Sequence, residues 1–159
     1  MSIIGLIVDV LREDLHRAID AAPTFSAACR AAVDLLYRRV AHYNWIGIYL
    51  REDDELALSA WAGPQATQHV RIPVGQGICG LAARTGETVI VDDVNADPRY
   101  LACFPQTHAE IVVPIHRGSE VIGEIDIDSD QEAAFSAADR ALLEHTAALL
   151  GCRARTSTV

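Results

Sequence analysis

Apolar residues keep a helical spacing through the first forty positions of the chain and then switch to alternation. Ile3 to Ile19 reads as a helix of mixed polarity. Thr24 is placed to cap a second helix running to about Ala41, with Ala28, Ala32, Leu35, Leu36 and Val40 on its apolar side. Asn44 to Leu50 then alternates as a strand, Asp53 and Asp54 make the turn, and Glu55 to Ala62 is the hairpin partner. His69 to Val74 is a short third strand, Cys79 to Arg84 a short helix stopped near Gly86, and Thr88 to Val91 another strand. Asp92 to His108 is irregular, with Pro98 and Pro105, and its length marks it as a functional loop. Glu110 to His116 and Val121 to Asp128 form a second hairpin around Gly118-Ser119. A helix from Ser136 to Leu150 follows, opened by a capping box with Asp139 in the acidic position, and the tail after Gly151 reads as frayed. The fold class is α+β: an antiparallel sheet with helices packed on one face and a ligand pocket under loops on the other. One domain, 1–159, is expected, with N-terminal helices at 3–41, sheet and pocket at 44–128 and a terminal helix at 136–150.

Composition narrows the partners. The 159 residues are 50% hydrophobic and 22% charged, an ordinary globular balance, with a net charge of −9. So acidic a chain repels phosphate backbones, which argues against nucleic acid. No apolar run reaches the roughly 18–20 residues that cross a bilayer. The apolar start lacks a basic segment and meets Asp9, Glu13 and Asp14, unlike a signal peptide. A cytoplasmic protein is expected. Its four cysteines, 29, 79, 103 and 152, form no C-x-x-C and no zinc spacing. His69, His108 and His116 share no metal spacing either, so no metal or cofactor is expected.

The chemistry concentrates in two thiols and a run of acids. Gly75-Gln76-Gly77-Ile78-Cys79-Gly80 matches a dinucleotide fingerprint, but the helix after it is too short for a parallel crossover. The glycines instead make a tight turn that seats Cys79 at a helix N-terminus, which favours the thiolate. The bland alternative is a small buried hydrophobe. Cys103 lies in the long loop, as a ligand-reaching thiol or as an anchor beside Leu101 and Phe104. Cys29 and Cys152 fall on helices and read as structural. Alternation puts Ile122, Glu124, Asp126 and Asp128 on one strand face. Such a face is ordinarily solvated. Under a covering loop it would bind an ammonium group or donate a proton. Glu110 joins it in only one of two registers: a two-residue turn sets Glu110 opposite Ile127, a three-residue loop opposite Asp126. Trp45 and Tyr49 share a face with Gly47, and Trp61 lies nearby, as a box for a cation or thioether or as an ordinary aromatic cluster.

From Asn44 to Leu150 the chain resembles the GAF domain family. The resemblance is carried by Trp45-Ile46-Gly47-Ile48-Tyr49, Arg71 to Gly80, Asp92-Asp93-Val94, Glu110 to Ile115 and Asp126-Ile127-Asp128-Ser129. Within that family it is most similar to the free methionine-(R)-sulfoxide reductases. Cys79 and Cys103 match two of their three thiol positions, and His69 occupies the first. The resemblance implies Cys103 and Cys79 as catalytic thiols, and Glu110, Asp126 and Asp128 around the substrate. The aromatic face of Trp45, Tyr49 and Trp61 would hold its methyl group and sulfur. It implies free methionine sulfoxide as the ligand, thioredoxin or glutathione as the reductant, and a homodimer. The terminal helix, with Leu142, Leu143, Leu149 and Leu150, is the expected pairing face. The alternative is a non-catalytic GAF domain that binds a small metabolite as a sensor. Bilin attachment fits less well, because Phe104 and not a histidine follows Cys103.

Overall fold

A computed structural model of the chain describes residues 2–156. Six strands form one antiparallel sheet: β1 (Trp45–Glu52), β2 (Glu55–Ala62), β3 (Arg71–Pro73), β4 (Val89–Val91), β5 (Ala109–Arg117) and β6 (Glu120–Ser129), in the order β3-β2-β1-β6-β5-β4. Three long helices, α1 (Ile3–Ala21), α2 (Phe25–Arg39) and α4 (Ala137–Thr156), cover one face. The short helix α3 (Gly77–Thr85) and the 92–108 loop cover the other. The expected layering therefore holds for the three long helices, while α3 lies on the pocket side. α4 is helical to Thr156, past the expected end at Leu150, so the segment after Gly151 is not frayed as far as Thr156.

Two cores follow from strand alternation. Ile46, Ile48, Ile111, Val113, Ile125 and Ile127 point to the long helices, where they meet Leu15, Leu36, Leu143 and Leu150. Trp45, Tyr49, Leu56 and Val112 point the other way, to Ile78, Ala82 and Phe104. Caps fix the helix starts. The Ser2 hydroxyl accepts from the Gly5 amide at 3.1 Å, and Thr24 does the same for Ala27 at 3.1 Å. Leu142, Leu143 and Leu150 are spent on the inner core and Leu149 packs against it, which removes the expected pairing face. The exposed large apolar residues, apart from Val70 beside β3, sit instead at the start of α1: Ile3, Ile4, Leu6, Ile7 and Val10.

The capping box at Ser136 is present in both directions. The Ser136 amide donates to Asp139 Oδ2 at 2.9 Å, and the Asp139 amide donates to Ser136 Oγ at 3.2 Å. Asp139 Oδ1 also accepts from the buried Tyr43 hydroxyl at 2.8 Å and lies 2.9 Å from His42 Nε2. Burial alone would raise this carboxyl, but the Ser136 amide, the Tyr43 hydroxyl and His42 hold it below its ordinary 3.8. A depressed carboxylate stabilises above its unfolded value and stops doing so as pH falls through the folded one. Asp139→Ala is expected to cost about 2–4 kcal/mol at pH 7, since it strands the Tyr43 hydroxyl and uncaps α4. Urea unfolding checks this, and the deficit should shrink below pH 4.

Candidate functional site

The pocket begins with the glycine-rich turn between β3 and α3. Gly75 and Gly77 adopt φ of 93° and 67°, and a Cβ on Gly80 would lie 2.8 Å from the Gly75 nitrogen and the Pro73 oxygen. The three glycines thus fold the turn back on itself, and Cys79 enters the first turn of α3, buried at 5% exposure. Of the two readings the sequence left open, a thiolate favoured by the helix end and a small buried residue, the burial fits the second: burial, followed by the charges of Asp126, Glu124 and Glu110, pushes Cys79 well above its ordinary 9.0. Its Sγ lies 4.0 Å from Glu110 Oε1, at the outer limit for a sulfur hydrogen bond.

The second hairpin supplies the floor. Arg117 pairs with Glu120 across a two-residue turn, yet Glu110 opposes Asp128 and Val112 opposes Asp126. Neither expected register is the one adopted. A bulge leaves Ile122 unpaired between the His116–Val121 and Ile115–Gly123 pairs, and this extra residue restores the parity that brings Glu110 onto the acidic face. It also turns Ile122 away from the acids, into the long-helix core, so Ile122 does not share the face assigned to it. On the other side of β6, Trp45 opposes Asp128, Gly47 opposes Asp126 and Tyr49 opposes Glu124. The expected acidic and aromatic sets therefore share one face. It is buried: Glu110, Glu124, Asp126 and Asp128 are 6%, 0%, 2% and 3% exposed. Among the described residues, nothing bonds Glu110 Oε2, Asp126 Oδ1, Asp128 Oδ2 or either oxygen of Glu124.

Buried acids without cations hold protons. Burial, then the charges of Asp126 and Asp128, lift Glu110 well above its ordinary 4.5. Burial, then Asp126, does the same to Asp128. Asp126 rises to about 6, through burial offset by hydrogen bonding to Glu110. The carboxyls of Glu110 and Asp126 are shifted the same way, so together they favour the protonated form.

The lid is the 92–108 loop, pinned by the Val94 amide to the His108 carbonyl at 2.8 Å and by the Arg99–Asp97 ion pair. It carries Cys103, half-buried, with Sγ 3.6 Å from the Leu101 carbonyl oxygen. Burial, then Asp126 and Asp128, raise this thiol to about 12, against a lowering hydrogen bond from Thr67. His69 ties a second loop to the lid: its Nε2 lies 3.0 Å from the Ala102 carbonyl oxygen, and its own carbonyl accepts from the Tyr49 hydroxyl at 2.8 Å. Trp45 stacks on Trp61 at 6.5 Å and meets Phe104 at 5.6 Å.

Cys79, Cys103, Glu110 and Asp126 line one cavity of about 10 Å³, the room of a single water. Beyond Trp45 a second cavity of about 250 Å³ is bounded by Phe104, Thr107 and Asp128. The eight expected site residues thus gather on one side of the sheet. Sequence reasoning passed over Phe104 as an anchor and left Glu124 out of the site, although period-two spacing from Asp126 marked it. It also found no metal spacing. The fold nonetheless brings donor atoms of Cys79, Glu110 and Asp126 within 4.8 Å of one another, from three separate elements. Cys29 is sealed in the long-helix core and Cys152 is exposed on α4, both away from the pocket.

Known proteins share this fold. Residues 19–151 match the family model described as GAF domain. The free methionine-R-sulfoxide reductase of Escherichia coli is 35% identical over 140 residues, covering 88% of this chain and 84% of that protein. The structure of a free methionine-R-sulfoxide reductase from Neisseria meningitidis in complex with its substrate superposes with a TM-score of 0.88 at 32% identity, covering 96% of this chain and 91% of that one. A type II free methionine-R-sulfoxide reductase from Thermoplasma acidophilum is 40% identical with a TM-score of 0.76, covering 90% and 94%. The chain belongs to the GAF domain family, in the group whose named members include free methionine-R-sulfoxide reductases.

Proposed function

We propose that the protein reduces free L-methionine-(R)-sulfoxide by thiol chemistry. The observation that carries this is the convergence of two thiols, from α3 and from the lid, on one buried cavity floored by proton-holding acids. The sulfoxide oxygen faces Glu110, and the methyl group and sulfur lie against Trp45, Tyr49 and Trp61. The ammonium group sits by Asp128. Glu110 donates its proton to the oxygen, which makes the sulfur electrophilic. The Cys103 sulfur bonds to it while the thiol proton passes to a neighbouring carboxylate. Hydroxyl then transfers to Cys103 as the substrate's S–O bond and the newly formed bond between the two sulfurs both break, leaving free methionine and a sulfenic acid. The Cys79 thiol attacks that sulfur, water leaves, and a disulfide forms. A thioredoxin-type dithiol or glutathione returns both thiols in a reducing cytoplasm.

A cavity with room for one water cannot seat an amino acid, so the lid opens before substrate binds. A homodimer is the expected assembly. Its pairing surface is the exposed apolar start of α1, and sedimentation at micromolar concentration tests it. The function itself is tested by incubating reduced protein with free L-methionine-(R)-sulfoxide and a thiol reductant. Release of methionine from this epimer and not from the S form supports the assignment. No release with thioredoxin, glutathione or dithiothreitol overturns it.

A further inference from the structure

The same floor has a property that sulfoxide reduction does not use. Donor atoms of Cys79, Glu110 and Asp126 all lie within 4.8 Å of one another. Around a tetrahedral zinc such atoms stand about 3.5 Å apart, so a small inward turn of the side chains closes the set. One oxygen of Glu110 and one of Asp126 has no partner among the described residues, and both side chains are more than nine-tenths buried. Glu124, fully buried, adds a further carboxyl to the same strand face but lies outside this set of three. No lysine, arginine or histidine is among the residues lining the cavity. Its free space matches one water, which admits an ion but not a metabolite.

We infer that the reduced protein takes up one zinc-type divalent cation between Cys79, Glu110 and Asp126. A sulfur with two carboxylate oxygens suits a borderline-soft metal in tetrahedral geometry. Magnesium and calcium, which take six or more oxygens, do not fit a site of three or four donors with sulfur among them. Binding exchanges the Cys79 thiol proton, and the protons held on the carboxyls, for the metal, with no change in oxidation state. The regulatory consequence rests on the reductase reading. A metal-held Cys79 cannot close the disulfide and the acids cannot protonate a sulfoxide, so zinc holds the enzyme reduced and idle. The binding itself does not depend on that reading.

Cobalt(II) is the probe, because a cobalt thiolate shows a charge-transfer band that zinc displaces. The full-length reduced protein, freed of metal, is titrated with Co²⁺ and then with Zn²⁺. One equivalent should bind and give the band. Cys79→Ser should abolish it. Glu110→Gln, which keeps the thiol, should weaken Zn²⁺ binding by more than the roughly 10–100-fold that loss of an outer-shell partner costs. Cys152→Ser should change nothing, and circular dichroism with a melting curve confirms that each variant is folded. The inference is overturned by a band that survives Cys79→Ser, by one that vanishes in Cys152→Ser, by unaltered Zn²⁺ affinity in Glu110→Gln, or by no band at all. Sulfoxide turnover without cobalt binding rejects the metal site alone. Cobalt binding without turnover rejects the reductase reading alone.

Discussion

Cys103→Ser should abolish turnover of free methionine sulfoxide, by at least about 10³-fold, because a serine hydroxyl cannot take the place of the attacking sulfur. Cys79→Ser should behave differently. Its Cys103 still attacks, so each protein releases about one methionine and then stalls as a sulfenic acid that a sulfenate-trapping reagent labels. The structure motivates the asymmetry. Cys103 rides on the lid, half-buried, where substrate enters, whereas Cys79 is fixed in the first turn of α3 at 5% exposure. A single-turnover burst in Cys103→Ser, with none in Cys79→Ser, would exchange the two roles. A burst in both would remove the pair from the mechanism.

Glu110→Gln should split activity from stability. Loss of the general acid lowers turnover by about 10²–10⁴-fold. Stability should move the other way at alkaline pH. Glu110 titrates well above its ordinary 4.5 when folded, so the native state keeps a proton that the unfolded chain has released. Stability therefore declines as pH rises from the unfolded value towards the folded one. Glutamine keeps the shape and a donor for Asp126 but has no proton to lose. Melting curves should show the variant above the wild type at pH 8, with the difference gone below pH 4.5. A variant less stable than the wild type at both pH values would mean that Glu110 works as a structural acceptor.

Most of the fold was legible in the chain because its signals are local. Period-two runs gave β1, β2, β5 and β6, and Ser136 with Asp139 marked the start of α4. The site was legible only in part, because it depends on parity. The turn at Gly118-Ser119 is visible in sequence, but the bulge at Ile122 is not, and that one residue decides whether Glu110 meets the acids. The charge of the thiol escaped for a related reason. A helix N-terminus is read from neighbours in sequence, whereas what overrules it at Cys79 is first its burial and then three carboxyls from β5 and β6, some thirty to fifty residues away. Leu142, Leu143 and Leu150 looked like a free stripe because nothing in the α4 sequence says how wide a sheet it must cover.

The tightness of the closed lid has a chemical corollary. Hydrogen peroxide and its relatives oxidise whatever thiolate they can reach, and a sulfur that is both hidden and protonated offers them little. Here Cys79 is hidden and half-buried Cys103 is held protonated, so neither is a ready target until a molecule large enough to hold the lid open arrives with its own oxygen atom. Selectivity for a methionine-sized visitor over a stray oxidant then comes from access, and the cost is speed, since each cycle must wait for the loop to lift.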